Sequence, residues 1–419
     1  MPPARTRASS RRRVRLRRCA AKPLRFLREA GWITADRARA VAGIAVIAFL
    51  GAAVWLAQRD AGPNPALGHD FAAFWSASVL INGGRAAEAY NRATLFAVQQ
   101  GMFGPGLALE APFLYPPPFL FAAWPMAWLP FGAALAAWVI LTSALCIAAL
   151  VRLAGGAWAL VPAMALPSLW FNAGFGQNGA LTAALFGGAA VLLDRRPVLA
   201  GLCLGLLCYK PQLALAVPVA LIAARRWTAF LASGATAAVM AFASLAVFGP
   251  EAWLAFLQQT RTATVGIEAG LAGFDKIVSP FGVVRTLDGP ASLAYAVQAL
   301  SGALACLLLV RVVRGRPGGA AEVAALVCAT LFCSPYLLVY DLTIMVVPLI
   351  WLFRRLREEG TPLPWESLAL LVLALTPIPG WGLSRMLGVQ AAPAFSLLLF
   401  WLVARRLQVE DHRARPRTA

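Results

Sequence analysis

The chain has 419 residues, of which 60% are hydrophobic and only 13% charged. Soluble globular chains carry roughly 45–50% apolar and about 25% charged residues, so a soluble enzyme and a disordered basic protein are both excluded. The net charge of +19 would suit a nucleic-acid binder, but 12 of the 37 basic residues lie within residues 1–38 and most others sit in short runs between apolar segments. That is the pattern by which Lys and Arg hold loops on the cytoplasmic side of a membrane. No nucleic-acid partner is expected, and contact with anionic membrane lipids is a secondary consequence of the same charge.

In chain order, residues 1–38 read as a disordered, Arg-rich cytoplasmic tail. The apolar run 40–57 is longer than the core of a signal peptide and lacks an A-x-A cleavage site, which predicts an uncleaved first span. An external loop follows over about 58–112. It is too aromatic for disorder, with Phe71, Phe74, Trp75, Tyr90, Phe96 and Phe103, and predicts short helices on the membrane surface. Run 113–131 opens Phe113-Leu114-Tyr115-Pro116-Pro117-Pro118, and Pro125 and Pro130 interrupt the rest. Prolines remove backbone donors and forbid a regular helix start in hydrocarbon, so this run is expected to be re-entrant or interfacial.

Further apolar runs near 132–153, 157–173, 178–193, 197–209, 211–223, 227–248, 290–313, 319–335, 338–353, 365–379 and 392–404 predict, with the first, about twelve spans of an all-α polytopic membrane protein. With 113–131 not crossing, Arg152, Arg195–Arg196, Arg225–Arg226, Arg311–Arg314–Arg316, Arg354–Arg355–Arg357 and Arg405–Arg406 all fall on the cytoplasmic side. Both termini do too, including a charged tail over 408–419. The membrane domain is then 39–407, with a first external region at 58–131 and a second external loop at 249–289.

This topology gathers a set of polar residues outside. Asp70 follows Gly68-His69 and opens the stretch after the first span. An Asp there can cap a helix N-terminus, and it can serve as a general base at the membrane surface. Lysine is rare, with only Lys22, Lys210 and Lys276 against 34 arginines. Lys210 breaks an apolar run at Tyr209-Lys210-Pro211, where it is either a snorkelling turn residue or a compact charge for a phosphate. Gln177-Asn178 and Tyr340-Asp341 mark two further external turns, explicable by turn chemistry or by a cavity shared with Asp70. The second external loop adds Arg261, Lys276 and Arg285. The seven cysteines show no metal spacing and read as small core residues, so no disulfide and no metal are assigned. No P-loop, G-x-S-x-G, H-E-x-x-H or paired CxxC motif occurs.

Five segments stand in order along the chain: GHDFAAFW (68–75), YPPPF (115–119), FGQNGALT (175–182), VLAGLCLGLLCYKPQLAL (198–215) and SPYLLVYDL (334–342). Together they resemble the bacterial membrane glycosyltransferases of family 87, the polyprenol-phosphate-mannose-dependent type, over about residues 40–400. The resemblance implies a C-type glycosyltransferase (GT-C) fold in the bacterial inner membrane, with its active site facing the periplasm. It also implies a polyprenyl-phosphate sugar as donor and a glycolipid or glycan as acceptor. Asp70 occupies the position of the acidic residue that such enzymes use in the first external loop. The late turn carries Tyr340-Asp341 and no histidine, where some members have a Trp-Asp-His-like pattern.

Inverting sugar transfer needs a base for the acceptor hydroxyl and cationic stabilisation of the departing phosphate. Those roles fall to Asp70 and to Lys210 with Lys276, Arg261 and Arg285. His69, Tyr115, Gln177, Asn178, Tyr340 and Asp341 are expected to contact sugar or acceptor. No cofactor is expected, because basic side chains can neutralise a lipid phosphate. The alternative is a transporter or flippase of lipid-linked sugars; such proteins often show internal repeats, and none is evident here.

Overall fold

The computed structural model describes residues 25–59, 67–107, 110–271, 273–315, 317–376 and 378–414. Most of the basic tail, part of the expected first external loop and residues 415–419 lie outside this set. The described residues are helical, apart from turns and one isolated antiparallel bridge between Ile277 and Leu338.

Among the described residues, five helices are long and apolar enough to cross a membrane: α1 (Ala35–Arg59), α4 (Phe131–Ala154), α9 (Trp227–Glu268), α11 (Ala291–Arg314) and α16 (Ala392–Ala414). The molecule is therefore a multi-pass membrane protein. Between these helices come α2 (Phe71–Asn82), α3 (Arg92–Phe103), α5 (Pro167–Phe175), α6 (Gly179–Leu192), α7 (Pro197–Gly205), α8 (Ala216–Ala223), α10 (Pro280–Thr286), α12 (Gly319–Cys333), α13 (Val346–Glu359), α14 (Glu366–Ala374) and α15 (Ile378–Leu387).

Several expected spans are thus shorter or interrupted. Run 157–173 is split at Leu166, ahead of the Pro167 that opens α5. Run 338–353 begins as a 3-10 turn, Val339–Met345. A count of twelve crossings does not follow from five long helices. Run 113–131 forms no helix longer than the four residues Leu120–Ala123, because its prolines leave too few donors for a continuous ladder. Its segment Tyr115–Leu120 is buried inside the protein, whereas Trp128 and Leu129 are exposed. Phe119 stacks on Tyr209 with ring centroids 5.1 Å apart and lies 4.6 Å from Tyr115.

The centre of the bundle is α6, whose small residues Ala180, Ala183, Gly187 and Ala190 let neighbours approach closely. The pair Gly201 and Gly205 on α7 does the same against α9. A Cβ at Gly201 would lie 2.5 Å from Ala232 Cβ, and one at Gly205 would lie 2.4 Å from the Ser233 carbonyl oxygen. Small residues spaced by four are a common means of close helix crossing in membranes. Helix α9 breaks at Gly249, with φ of 79°, followed by Pro250. The expected external loop 249–289 is therefore largely helical: the second segment of α9 continues to Glu268 and seats Phe256 against Tyr90, 5.8 Å between centroids.

The two ends of α6 differ in chemistry. At its C-terminal end, Arg226 forks onto Glu322 at 2.9 Å and reaches Asp194 at 2.6 Å, while Asp194 accepts the Gly319 backbone N–H at 2.8 Å. Arg354 donates to the Leu153 carbonyl at 3.1 Å, and Arg355 reaches Glu410 at 2.6 Å. The Arg-rich turns are thereby tied together. Gln177, Asn178 and Tyr340 gather at the other end, about 20 Å away along a 14-residue helix.

Candidate active site

Two glycines bring Asp70 to Gln177. The Gly68 backbone N–H donates to the Gly174 carbonyl at 2.7 Å. Both Gly68 and Gly176 have positive φ, 72° and 68°. A Cβ at Gly68 would sit 2.5 Å from Leu135 Cδ2, and one at Gly176 would sit 2.6 Å from Phe71 Cβ. Only glycine combines that backbone with that proximity. Trp138 on α4 fastens the same turn by donating its indole N–H to the Gly176 carbonyl at 3.1 Å.

Asp70 occupies the N-cap position of α2, yet its side chain makes no cap hydrogen bond. Its carboxylate instead accepts from the Gln177 amide at 3.0 Å and lies 3.2 Å from His69 Nδ1. The carboxylate is 26% exposed and so reachable from outside. Gln177 is buried, and its oxygen accepts from the Tyr115 hydroxyl at 2.9 Å. The Tyr115 carbonyl accepts from Tyr90 at 3.0 Å. Burial, reinforced by the Asp341 charge, pushes the Tyr115 phenol well above its usual value, so it stays a donor. Asn178 is fully buried beside Tyr115, but neither atom of its amide reaches a well-formed hydrogen bond among the described residues. The same holds for His69 Nε2. Both stand ready for a further polar partner.

Lys210 is 2% exposed, and its ammonium donates to Asp341 at 2.5 Å. It lies 5.7 Å from the centre of the Tyr115 ring and 5.1 Å from that of Tyr340, a cation between two aromatic faces. The other Asp341 oxygen accepts the Leu338 backbone N–H at 3.0 Å. Lys210 thus neither snorkels nor stands open to solvent. The chain Asp70–Gln177–Tyr115 reaches the Lys210–Asp341 pair, so these five residues singled out in the sequence, together with Tyr340 as a sixth, form one contiguous group. A buried hydrogen bond between the Thr182 and Tyr209 hydroxyls, 2.6 Å, closes one side.

The cations of the stretch 249–289 are placed differently. Arg285 donates to the Gly289 and Glu268 carbonyls, both at 2.7 Å, and lies over the Phe274 ring at 4.6 Å. It is occupied in holding its own loop. Arg261 is exposed on the second segment of α9, and Lys276 is exposed beside the bridge from Ile277 to Leu338. Sequence reading missed Tyr90 and Trp138, whose roles depend on which carbonyls they meet, and Gly68 and Gly176, whose φ values are invisible in composition. Among the described residues no three metal-ligating side chains converge.

An apolar helical bundle with a buried polar cluster at one end defines a membrane protein with a site recessed at its surface. A family profile described as Glycosyltransferase family 87 matches residues 113–339, more than half of the chain, and the chain belongs to that family. It is a glycosyltransferase, which implies a sugar donor and an acceptor. No curated protein and no solved structure matches the chain. The matched stretch includes Tyr115, Gln177, Asn178, Lys210, Arg261, Lys276 and Arg285, but not His69, Asp70, Tyr340 or Asp341.

Proposed function

We propose that this protein transfers a hexose, with mannose first in order by the family resemblance, from a polyprenyl-phosphate donor to a glycolipid or glycan acceptor with inversion. The reaction takes place on the periplasmic side of the bacterial inner membrane, in a C-type glycosyltransferase fold of about twelve crossings plus the proline-rich re-entrant segment, with both termini cytoplasmic. The observation that carries the proposal is the commitment of the Asp70 carboxylate to Gln177 rather than to its own helix. A capping residue would face the backbone; this one is presented, partly exposed, at the edge of a buried polar cluster.

In the proposed step one Asp70 oxygen takes the proton of the acceptor hydroxyl. The acceptor oxygen bonds to the anomeric carbon as the bond from that carbon to the phosphate oxygen breaks, and polyprenyl phosphate leaves with the electron pair. Gln177 keeps Asp70 oriented, and Tyr115 keeps Gln177 from rotating. His69 Nε2 and Asn178, with Tyr340, are suited to sugar hydroxyls. Lys210 is already neutralised by Asp341, so its positive charge supports the tyrosine pair from behind rather than meeting phosphate directly. The site needs no cofactor in this scheme, since the leaving phosphate is a stable anion once paired with cations.

Purified full-length protein in lipid would be given labelled polyprenyl-phosphate mannose and a bacterial membrane extract. Label transferred to an acceptor by wild type and lost in Asp70→Asn is the expected result. Transfer from a soluble sugar nucleotide instead would overturn the donor assignment.

A further inference from the structure

Tyr295, Gln298, Gly302 and Cys306 follow one another at steps of three or four residues on α11, which places them on one face of that helix. That face meets the end of α12 and the turn beyond it. The Tyr295 hydroxyl bonds to the Tyr336 hydroxyl, and the Gln298 amide donates to the Phe332 carbonyl at 2.6 Å. Gly302 lets the two helices close up, since a Cβ there would lie 3.1 Å from the same carbonyl oxygen. One turn further along, the Cys306 and Cys333 sulfurs lie 3.8 Å apart. Both are free thiols and both are half-buried. At 27 positions apart in the chain they carry no pairing signal, and neither belongs to the polar cluster around Asp70.

We infer that Cys306 and Cys333 are a redox modification site, closing to a reversible disulfide that staples α11 to the end of α12. The sulfurs have to close from 3.8 Å to about 2.05 Å, a movement of two side chains on helices that Gln298 and Gly302 already hold together. In the reduced form the Cys333 thiol donates to the Ala329 carbonyl at 3.3 Å, a weak contact given up on oxidation. Helix α11 is apolar enough to cross a membrane, so the oxidant that reaches Cys306 is a lipid-soluble one, a quinone. Each sulfur loses its hydrogen, the S–S bond forms, and the quinone takes up two electrons and two protons to become a hydroquinone. A dithiol reverses the step by thiol–disulfide exchange. Cys333 ends α12, and the chain runs on through Pro335, whose carbonyl accepts from Ser279 at 2.5 Å, to Tyr340 and Asp341. The staple thus restrains the segment that carries two members of the polar cluster, whichever sugar donor is used.

Full-length protein in liposomes would be treated with decylubiquinone, its remaining thiols alkylated, and its peptides mapped by mass spectrometry. A Cys306–Cys333 cross-link in most chains, reversed by dithiothreitol and formed equally in Cys203→Ser, is the expected result. Cys306→Ser and Cys333→Ser should each leave the partner thiol fully alkylated. In wild type, oxidation should slow amide hydrogen exchange over residues 334–341 severalfold and raise the thermal unfolding midpoint; neither should change in Cys306→Ser. Cys306 and Cys333 still alkylated after quinone treatment would overturn the inference, as would linkage of either one to the fully buried Cys328 or to a second chain in equal yield. An equal yield from oxidised glutathione, a water-borne disulfide, would overturn the lipid-side route. Exchange left unchanged by the cross-link would overturn its hold on the segment that carries Asp341.

Discussion

At the scale of single residues, Asp70 separates two roles that a sequence leaves merged. Its carboxylate makes no bond to the first turn of α2, so the stability usually lost with a missing cap is not at stake. Asp70→Asn and Asp70→Ala are both expected to express, insert and melt like wild type. General-base catalysis contributes about 10²–10⁴-fold, so sugar transfer should fall by at least the lower figure in both, with donor binding retained. An active Asn variant would remove Asp70 from the chemistry. Lys210 presents the reverse case. Replacing it with Met strands Asp341, 3% exposed, without a counter-charge, and losing one partner of a buried pair costs about 3–5 kcal/mol. The double variant Lys210→Met/Asp341→Asn removes both charges and keeps an acceptor for the Leu338 N–H. Thermal unfolding in detergent should show the double variant more stable than Lys210→Met alone. If the single variant is unperturbed, the pair carries no structural load.

Among the helices and turns, the site depends on a backbone contact between the Gly68 turn and the Gly174–Gly176 turn. Gly176→Ala adds a Cβ 2.6 Å from Phe71 Cβ at a φ of 68°, and although the Leu135 Cδ1 tip 2.7 Å away can swing aside, Phe71 Cβ cannot. Strain of this kind costs about 1–3 kcal/mol, and relief requires the two turns to part. Asp70 and Gln177 would then lose their 3.0 Å bond. Transfer activity is expected to fall far more than the melting temperature, measured on the same preparation; a proportionate loss of both would make Gly176 a general packing residue. Here lies the limit of legibility. Asp70, Gln177, Lys210 and Asp341 announce themselves because charged or amide side chains are costly among apolar runs. Their pairing does not, since Gln177 is 107 positions from Asp70 and Asp341 is 131 from Lys210. The interruption of the proline-rich run is legible from its missing donors alone. The break of run 157–173 at Pro167 and the helical course of 250–268 depend on packing partners that local pattern does not contain.

For the molecule as a whole, the proposed orientation rests on which end of α6 carries which chemistry. The turns bearing Arg195–Arg196, Arg225–Arg226 and Glu322 are locked together by Arg226, and the Arg354–Arg357 stretch joins Leu153 and Glu410. The polar cluster lies at the opposite end of the helix. If Lys and Arg loops stay cytoplasmic, one proposed orientation follows for both ends at once: the basic end inside, the Asp70 cluster outside. Lys210 is too buried to report on this proposal, but Lys276 and Arg195 are both exposed and fall on opposite sides in the proposed orientation. In a cysteine-free background, Lys276→Cys should react with a membrane-impermeant maleimide in intact spheroplast-competent cells whose outer membrane has been opened. Arg195→Cys should react only after the inner membrane is permeabilised. Labelling of Arg195→Cys in sealed cells would invert the molecule, and with it the compartment in which Asp70 meets its acceptor, because no rearrangement of short helices can move one end of α6 without the other.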